Sequence, residues 1–198
     1  HKVGLVKSLE RLLTPQKETA DFEDIESLLR EAAYDTGAVG DLQAWWLHRM
    51  HYTANPLTEK LTLFWHNHFA TSFSKVQSVP HMAAQNDRFR AEALGSFREL
   101  LHAMAKDVAM LIWLDSNANR KRHANENFAR EVMELFSLGE GNYTEDDIKQ
   151  AARAFTGWHV RDDKFWFNQR QHDITSKSLF GKTANLDGGE VIDLCLAH

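Results

Sequence analysis

The chain has 198 residues, of which 43% are apolar and 26% charged, an ordinary globular make-up with the length for one domain and a sizeable core. A formal charge of −5 gives no general electrostatic reason to bind nucleic acid. The lone cysteine, Cys195, excludes an internal disulfide and a thiolate-rich zinc site, and no apolar run approaches the roughly eighteen residues of a membrane-spanning helix. Eleven histidines mean that full protonation would carry the net charge from −5 to +6. The sequence opens on His1 and stops at Leu196-Ala197-His198, inside what reads as a helix. It is therefore expected to be a fragment truncated at both ends, from whose missing targeting segment nothing follows about location.

Residues 3–13 carry Val3, Val6, Leu9, Leu12 and Leu13 at helical spacing and close on Thr14-Pro15. A second helix starts at residue 20 with Phe22, Ile25, Leu28, Leu29 and Ala32 on one side, broken by Gly37 and Gly40. The third, 41–52, is rich in aromatic residues and places His48 and His51 as neighbours. Asn55-Pro56 opens the fourth, 57–72, with proline at its first position. Its periodicity groups Leu57, Leu61, Phe64 and His68 on an apolar side and Glu59, Thr62 and His66 on a polar one. The two histidines diverge by about 200°, so one regular helix cannot aim both at one ion. Three further helices follow: 76–93 (Met82, Phe89 and Leu94 inward), 96–105 (Phe97, Leu100, Leu101, Met104) and the short, strongly apolar 107–114.

The clearest signals lie in 115–158. Asn125 is a good N-cap, Phe128, Val132, Leu135 and Phe136 form an apolar stripe, Glu126, Arg130 and Glu134 a polar one, and Gly139 ends the helix. Thr144 caps the next helix with Asp147 in the reciprocal position, and Tyr143 can staple to Ile148. Aromatic residues around Asp162-Asp163-Lys164 read as a small β-hairpin, 169–185 as a loop, and 187–198 as a last helix. The expected fold is mainly α, a single multi-helix domain over 1–198 with a small β-hairpin near residues 158–167.

Three runs carry a resemblance: N-E-N-F-A-R-E-x-M-E-L-F-x-L-G from Asn125, Y-T-E-x-D-I from Tyr143, and A-R-A-F-T-G-W from Ala152. With Pro56 to Ser72, His172-Asp173 and Leu179-Phe180-Gly181, they resemble the domain of unknown function 1800 family, bacterial and often exported proteins without an established activity. Arg122 and Ala124 stand where that pattern has Gly and Pro, and Thr175 where it has Gly. The resemblance implies a helical fold and a periplasmic or extracellular setting, and no mechanism.

The loop from Asp115 through Asn117 and Asn119 to Glu126 matches the oxygen positions of an EF-hand. Arg120 where that loop needs Gly, and the positive run Arg120-Lys121-Arg122, argue against calcium and for an Asx-rich turn. The same triplet is a candidate anion site. Glu126, Arg130 and Glu134 read most simply as a salt-bridge ladder. Their functional reading, with Glu59 and His66, is an acid–base site where the 65–69 segment meets the 125–139 helix. His66, Glu126, His172 and Asp173 are the candidate ligands of a divalent metal. No nucleophile elbow, P-loop or H-E-x-x-H motif is present. Two functions are thus expected: a metal-assisted or acid–base enzyme on an extracytoplasmic substrate, or a non-catalytic helical module that binds a partner protein or an envelope polymer.

Overall fold

The computed structural model describes residues 2–198; His1 and the side chains of Lys2 and of Val3, the latter assigned above to the first apolar stripe, lie outside the described residues. Among these, 64% is helical, in eleven helices with two small antiparallel two-stranded sheets, as the mainly α reading requires. In chain order the helices are α1 (Lys2–Leu13), α2 (Ala20–Thr36), α3 (Val39–Tyr52), α4 (Pro56–His68), α5 (Phe73–Val76) and α6 (Val79–Ala91). There follow α7 (Phe97–Ala105), α8 (Val108–Trp113), α9 (Glu126–Glu131), α10 (Glu145–Ala154) and α11 (Gly188–Ala197). The strands are β1 (Trp158–Arg161), β2 (Lys164–Phe167), β3 (Lys177–Leu179) and β4 (Lys182–Ala184). Among the described residues, 2–67 with 77–94 make one compact unit, and 68–76 with 95–198 a second.

The first unit has a charged interior. Trp45 is fully buried in α3, and the guanidinium groups of Arg30, Arg90 and Arg49 stand 5.0, 5.4 and 5.8 Å from its ring centre. Such distances are in the cation–π range. The Trp45 indole N–H donates to Glu26 at 2.7 Å. Three carboxylates answer the three arginines: Arg49 pairs with Glu26 at 2.9 Å, Arg90 with Glu59 and with Asp87, and Arg30 with Asp87. Glu59 also accepts from Trp46 Nε1 at 3.2 Å and Arg49 Nε at 3.3 Å.

This network overturns the expected faces. In α4 Glu59 is 2% exposed and Thr62 fully buried, while Phe64 is 54% exposed. In α2 the buried residues are Phe22 and Ala33, whereas Ile25 and Leu28 lie outward, and Leu94 after α6 is exposed as well. A helix turns inward the side that its neighbours can satisfy, and here they offer paired charges, not an apolar surface.

The second unit follows its apolar stripes more closely. Leu100, Leu101 and Met104 of α7 and Ala109, Met110 and Leu111 of α8 are buried. Phe128, Phe155 and Trp158 meet edge to face, with ring centres 4.9 and 5.2 Å apart along that series. Thr144 and Asp147 form the expected reciprocal cap of α10. After α9 the helix widens into a π turn, Val132–Ser137, where Leu138 N–H bonds the Met133 carbonyl five residues back at 2.8 Å. The added residue shifts the phase of the stripe, so Leu135, expected inward, is 57% exposed while Phe136 stays buried.

The β1–β2 hairpin appears where expected, and both turn residues, Asp162 and Asp163, have positive φ (51° and 57°), as a two-residue type I′ turn requires. The segment read as a loop contains a second hairpin, β3–β4, turning at Phe180-Gly181. Strands of three residues are too short to display a period, and one inward position is Lys177, 1% exposed. Its ammonium donates to the carbonyls of Asp173 (2.6 Å) and Thr175 (3.1 Å) and to Asn185 Oδ1 (3.1 Å), holding the segment together as a bound cation would.

Candidate functional site

In the second unit the loop between α8 and α9 is fixed by its asparagines. Asn119 is buried; its amide donates to the Ala152 carbonyl at 3.0 Å and its Oδ1 accepts from Asn125 N–H at 2.9 Å. Its own carbonyl accepts from Gly157 N–H at 3.1 Å and from His159 Nε2 at 3.3 Å. Asn117 Oδ1 takes the Val160 N–H at 2.7 Å, and Asp115 pairs with Lys75 at 2.7 Å. The side-chain oxygens that match an EF-hand thus have partners within the protein. They serve as struts between the loop, α10 and β1.

What the struts hold outward is basic. Arg120 and His123 close a tight turn on each other, with Arg120 N–H bonded to the His123 carbonyl at 3.3 Å and His123 N–H to that of Arg120 at 2.8 Å. Lys121 N–H reaches the Gln171 carbonyl at 2.7 Å. That bond brings Arg170 beside the triplet, and Arg120, Lys121, Arg122, His123, Arg170 and Gln171 line an open depression of about 320 Å³. Among the described residues, Arg120, Lys121, Arg122 and Arg170 have no carboxylate at ion-pair distance. Arg122 also holds φ at +72°, the left-handed region that disfavours every residue with a β-carbon. Next to the loop, burial holds His159 below its ordinary pKa, and the charge of Arg120 lowers it further.

The other candidates are distributed differently. His66, in the first unit, is half-buried and sets its ring edge-on to Trp46 (5.2 Å) and Phe89 (6.2 Å); burial lowers its pKa. It packs, where an exposed residue was expected. Glu59 is the hub of the ion network described above. A cavity of about 300 Å³ beside it is lined by Glu18, Arg49, Asn55 and Arg90 among others, and Glu18 is itself held by Thr53, Ala54 and Asn55. In the second unit His68 bonds the Phe136 carbonyl at 3.2 Å among the rings of Phe69, Phe97 and Phe136, so this contact with the 125–139 helix is aromatic.

Glu126, Arg130 and Glu134 work as fasteners. Arg130 grips Glu145 with two nitrogens at 2.9 and 2.7 Å and Glu126 at 3.4 Å, tying α9 to α10. Tyr143 donates its hydroxyl to Glu134 at 2.6 Å, which pushes the phenol up to about 12. His172 Nδ1 donates to the Thr156 carbonyl at 2.8 Å, and Asp173 is held by Arg153 at 2.9 Å and by Thr175. His66 lies in one unit and Glu126, His172 and Asp173 in the other; among the described residues no three His, Cys, Asp or Glu side chains are grouped to hold a metal ion. Burial pushes the Cys195 thiol up to about 11, which removes it as a nucleophile near neutral pH.

The family described as Protein of unknown function (DUF1800) matches residues 1–198, the whole chain. The chain belongs to that family. Neither the curated proteins nor the solved structures contain a match. In this DUF1800 chain the charged triplet was legible in the sequence, but its partners His123 and Arg170 were not assigned to it. Arg170 lies almost fifty residues downstream, and tertiary backbone bonds, Lys121 to Gln171 and Gly157 to both Asn119 and Asn168, bring it close.

Proposed function

We propose that this DUF1800 chain is a non-catalytic helical module that recognises an oxyanion (phosphate, sulfate or carboxylate) on an envelope component outside the cytoplasm. The observation that carries the reading is the set of basic side chains, Arg120, Lys121, Arg122, His123 and Arg170, gathered around one depression and, among the described residues, with no carboxylate at ion-pair distance. Guanidinium and ammonium groups held in this way offer charge-assisted hydrogen bonds to an oxyanion. Arg122 supports it as a feature of this chain: where the family pattern has Gly, a long cationic side chain stands at a left-handed backbone position that glycine would occupy with less strain. The extracytoplasmic setting rests on the family resemblance, and fractionation of cells carrying the full-length protein tests it. The acid–base reading has no comparable support, since Glu126, Arg130 and Glu134 are engaged in fastening helices.

The test is a sulfate titration at constant ionic strength, read by thermal unfolding. Ligand that binds only the folded state raises the melting midpoint, by an amount that grows with the logarithm of its concentration once that exceeds Kd. Sulfate should stabilise the wild type and leave the Arg122→Gly/Arg170→Ala double variant unmoved. Arg122→Gly alone should fold at least as stably as the wild type, roughly 0.5–1 kcal/mol better, because it relieves the left-handed backbone. Equal sulfate response in wild type and double variant would discard the site.

A further inference from the structure

We infer that His159 couples the anion loop to pH: an oxyanion bound in the depression draws a proton onto His159, and the protonated ring tightens the loop's hold on the anion. This names the regulation of the proposed site and rests on that reading. The link is built from main chain. His159 is 6% exposed, and its Nε2 donates to the Asn119 carbonyl at 3.3 Å. That carbonyl and the Arg120 N–H belong to one peptide group. The Arg120 N–H donates in turn to the His123 carbonyl at 3.3 Å, closing the turn that carries the triplet. The ring and the cationic turn are thus two ends of one hydrogen-bonded chain, along which polarisation at one end is passed to the other.

Charge acts along the same route. Nε2 holds its hydrogen against Asn119, so a second proton enters from solvent at Nδ1 and makes the ring an imidazolium. Burial disfavours that ion, and the Arg120 guanidinium disfavours it further. Among the described residues no carboxylate stands at ion-pair distance from His159. Of the elements packed on β1, α8 and the 116–118 turn carry no charged side chain, and β2 presents Trp166, its ring centre 6.2 Å away. Arg161 and Lys164 form the next cross-strand pair on that face, with Arg161 paired to Asp162 at 3.5 Å. Arg120 is therefore the charge that opposes protonation, and it is one of the groups that an oxyanion in the depression neutralises. With that charge answered, the proton binds more readily. By linkage, proton and anion each raise the affinity of the other by the same factor.

The experiment is calorimetry of sulfate binding to the intact protein at fixed ionic strength, repeated in two buffers of different ionisation enthalpy, with the His159 ring followed by proton NMR. Sulfate keeps its full charge from pH 7.5 to 5.5, so a proton taken up on binding goes to the protein. Binding should take up protons, tighten roughly fivefold from pH 7.5 to 5.5, and raise the pH at which His159 titrates. His159→Gln should lose the proton uptake and the gain in affinity. The inference is overturned if His159 of the wild type titrates at the same pH in sulfate as in chloride of equal ionic strength, a result that does not depend on any variant folding. It is equally overturned if His159→Gln takes up the same protons, which would move the coupling to another histidine, His123 foremost. In both outcomes sulfate binding leaves the anion loop standing. A wild type that binds no sulfate at either pH would instead remove the loop reading, and this inference with it.

Discussion

Glu59 and His159 show how much one buried residue decides. Glu59 is buried among Trp46, Arg49 and Arg90, so its carboxylate is an obligatory counter-charge. Glu59→Gln takes one counter-charge from Arg49 and Arg90, which keep Glu26 and Asp87, and should cost about 1–3 kcal/mol. Chemical denaturation measures it, and a loss under about 1 kcal/mol would mean that the network is open to water. His159 argues in the pH direction. Its pKa is depressed in the folded chain, so the unfolded chain binds the proton more readily. The contribution is full above the unfolded value of about 6.5 and is lost as pH falls through it toward the folded value. His66 is depressed in the same sense by burial. The melting midpoint should therefore fall between pH 7.5 and 5.5. His159→Gln, which keeps a donor for the Asn119 carbonyl without a titrating ring, should flatten that slope; an unchanged slope would refute the assignment.

Two elements depend on their first residues. In α10 Thr144 Oγ1 accepts from Asp147 N–H at 3.1 Å, and the Asp147 carboxylate accepts from Thr144 N–H at 2.9 Å. Thr144→Ala removes the acceptor and should destabilise the protein by about 1 kcal/mol, with Thr144→Ser close to wild type. An alanine variant that melts with the wild type would show that the cap does not matter. The start of α11 is limited by packing. A β-carbon on Gly188 would stand 2.5 Å from the Phe155 ring and 2.6 Å from the Trp158 indole, both parts of the unit's aromatic core. Gly188→Ala should cost about 1–3 kcal/mol by overpacking. Near-UV circular dichroism of the folded variant should show a changed tryptophan signal, and an unperturbed spectrum at full stability would contradict this packing.

For the whole molecule, charge is the quantity that moves. A chain at −5 with eleven histidines loses its negative excess on mild acidification. Attraction for an anion should therefore strengthen as pH falls from 7.5 to 5.5, a range in which sulfate keeps its full charge. Calorimetry with sulfate at the two pH values checks it; equal affinity would mean that the histidines are irrelevant to binding. No helix among the described residues is long and apolar enough to cross a membrane. The two-unit organisation has no mark in composition. The chain crosses between units inside α4, before residue 77 and after Leu94, with no proline- or glycine-rich linker at any crossing.

Local chemistry determined the helices and their ends. Asn125, Thr144 with Asp147, and the short turn at Asp162-Asp163 act through atoms a few residues apart, so their signals survive in one dimension. The basic triplet was legible for the same reason. Only tertiary structure decided which side of α2 and α4 faces inward, because that depends on Trp45 and on charges contributed by four separate helices. It also decided that His66 packs against rings, that Lys177 ties together the segment holding a second hairpin, and that Arg170 joins the loop at 120–123. Periodicity reports how apolar a face is. Whether a charged face can be buried depends on partners that hydrogen-bond it, and those come from elsewhere in the chain.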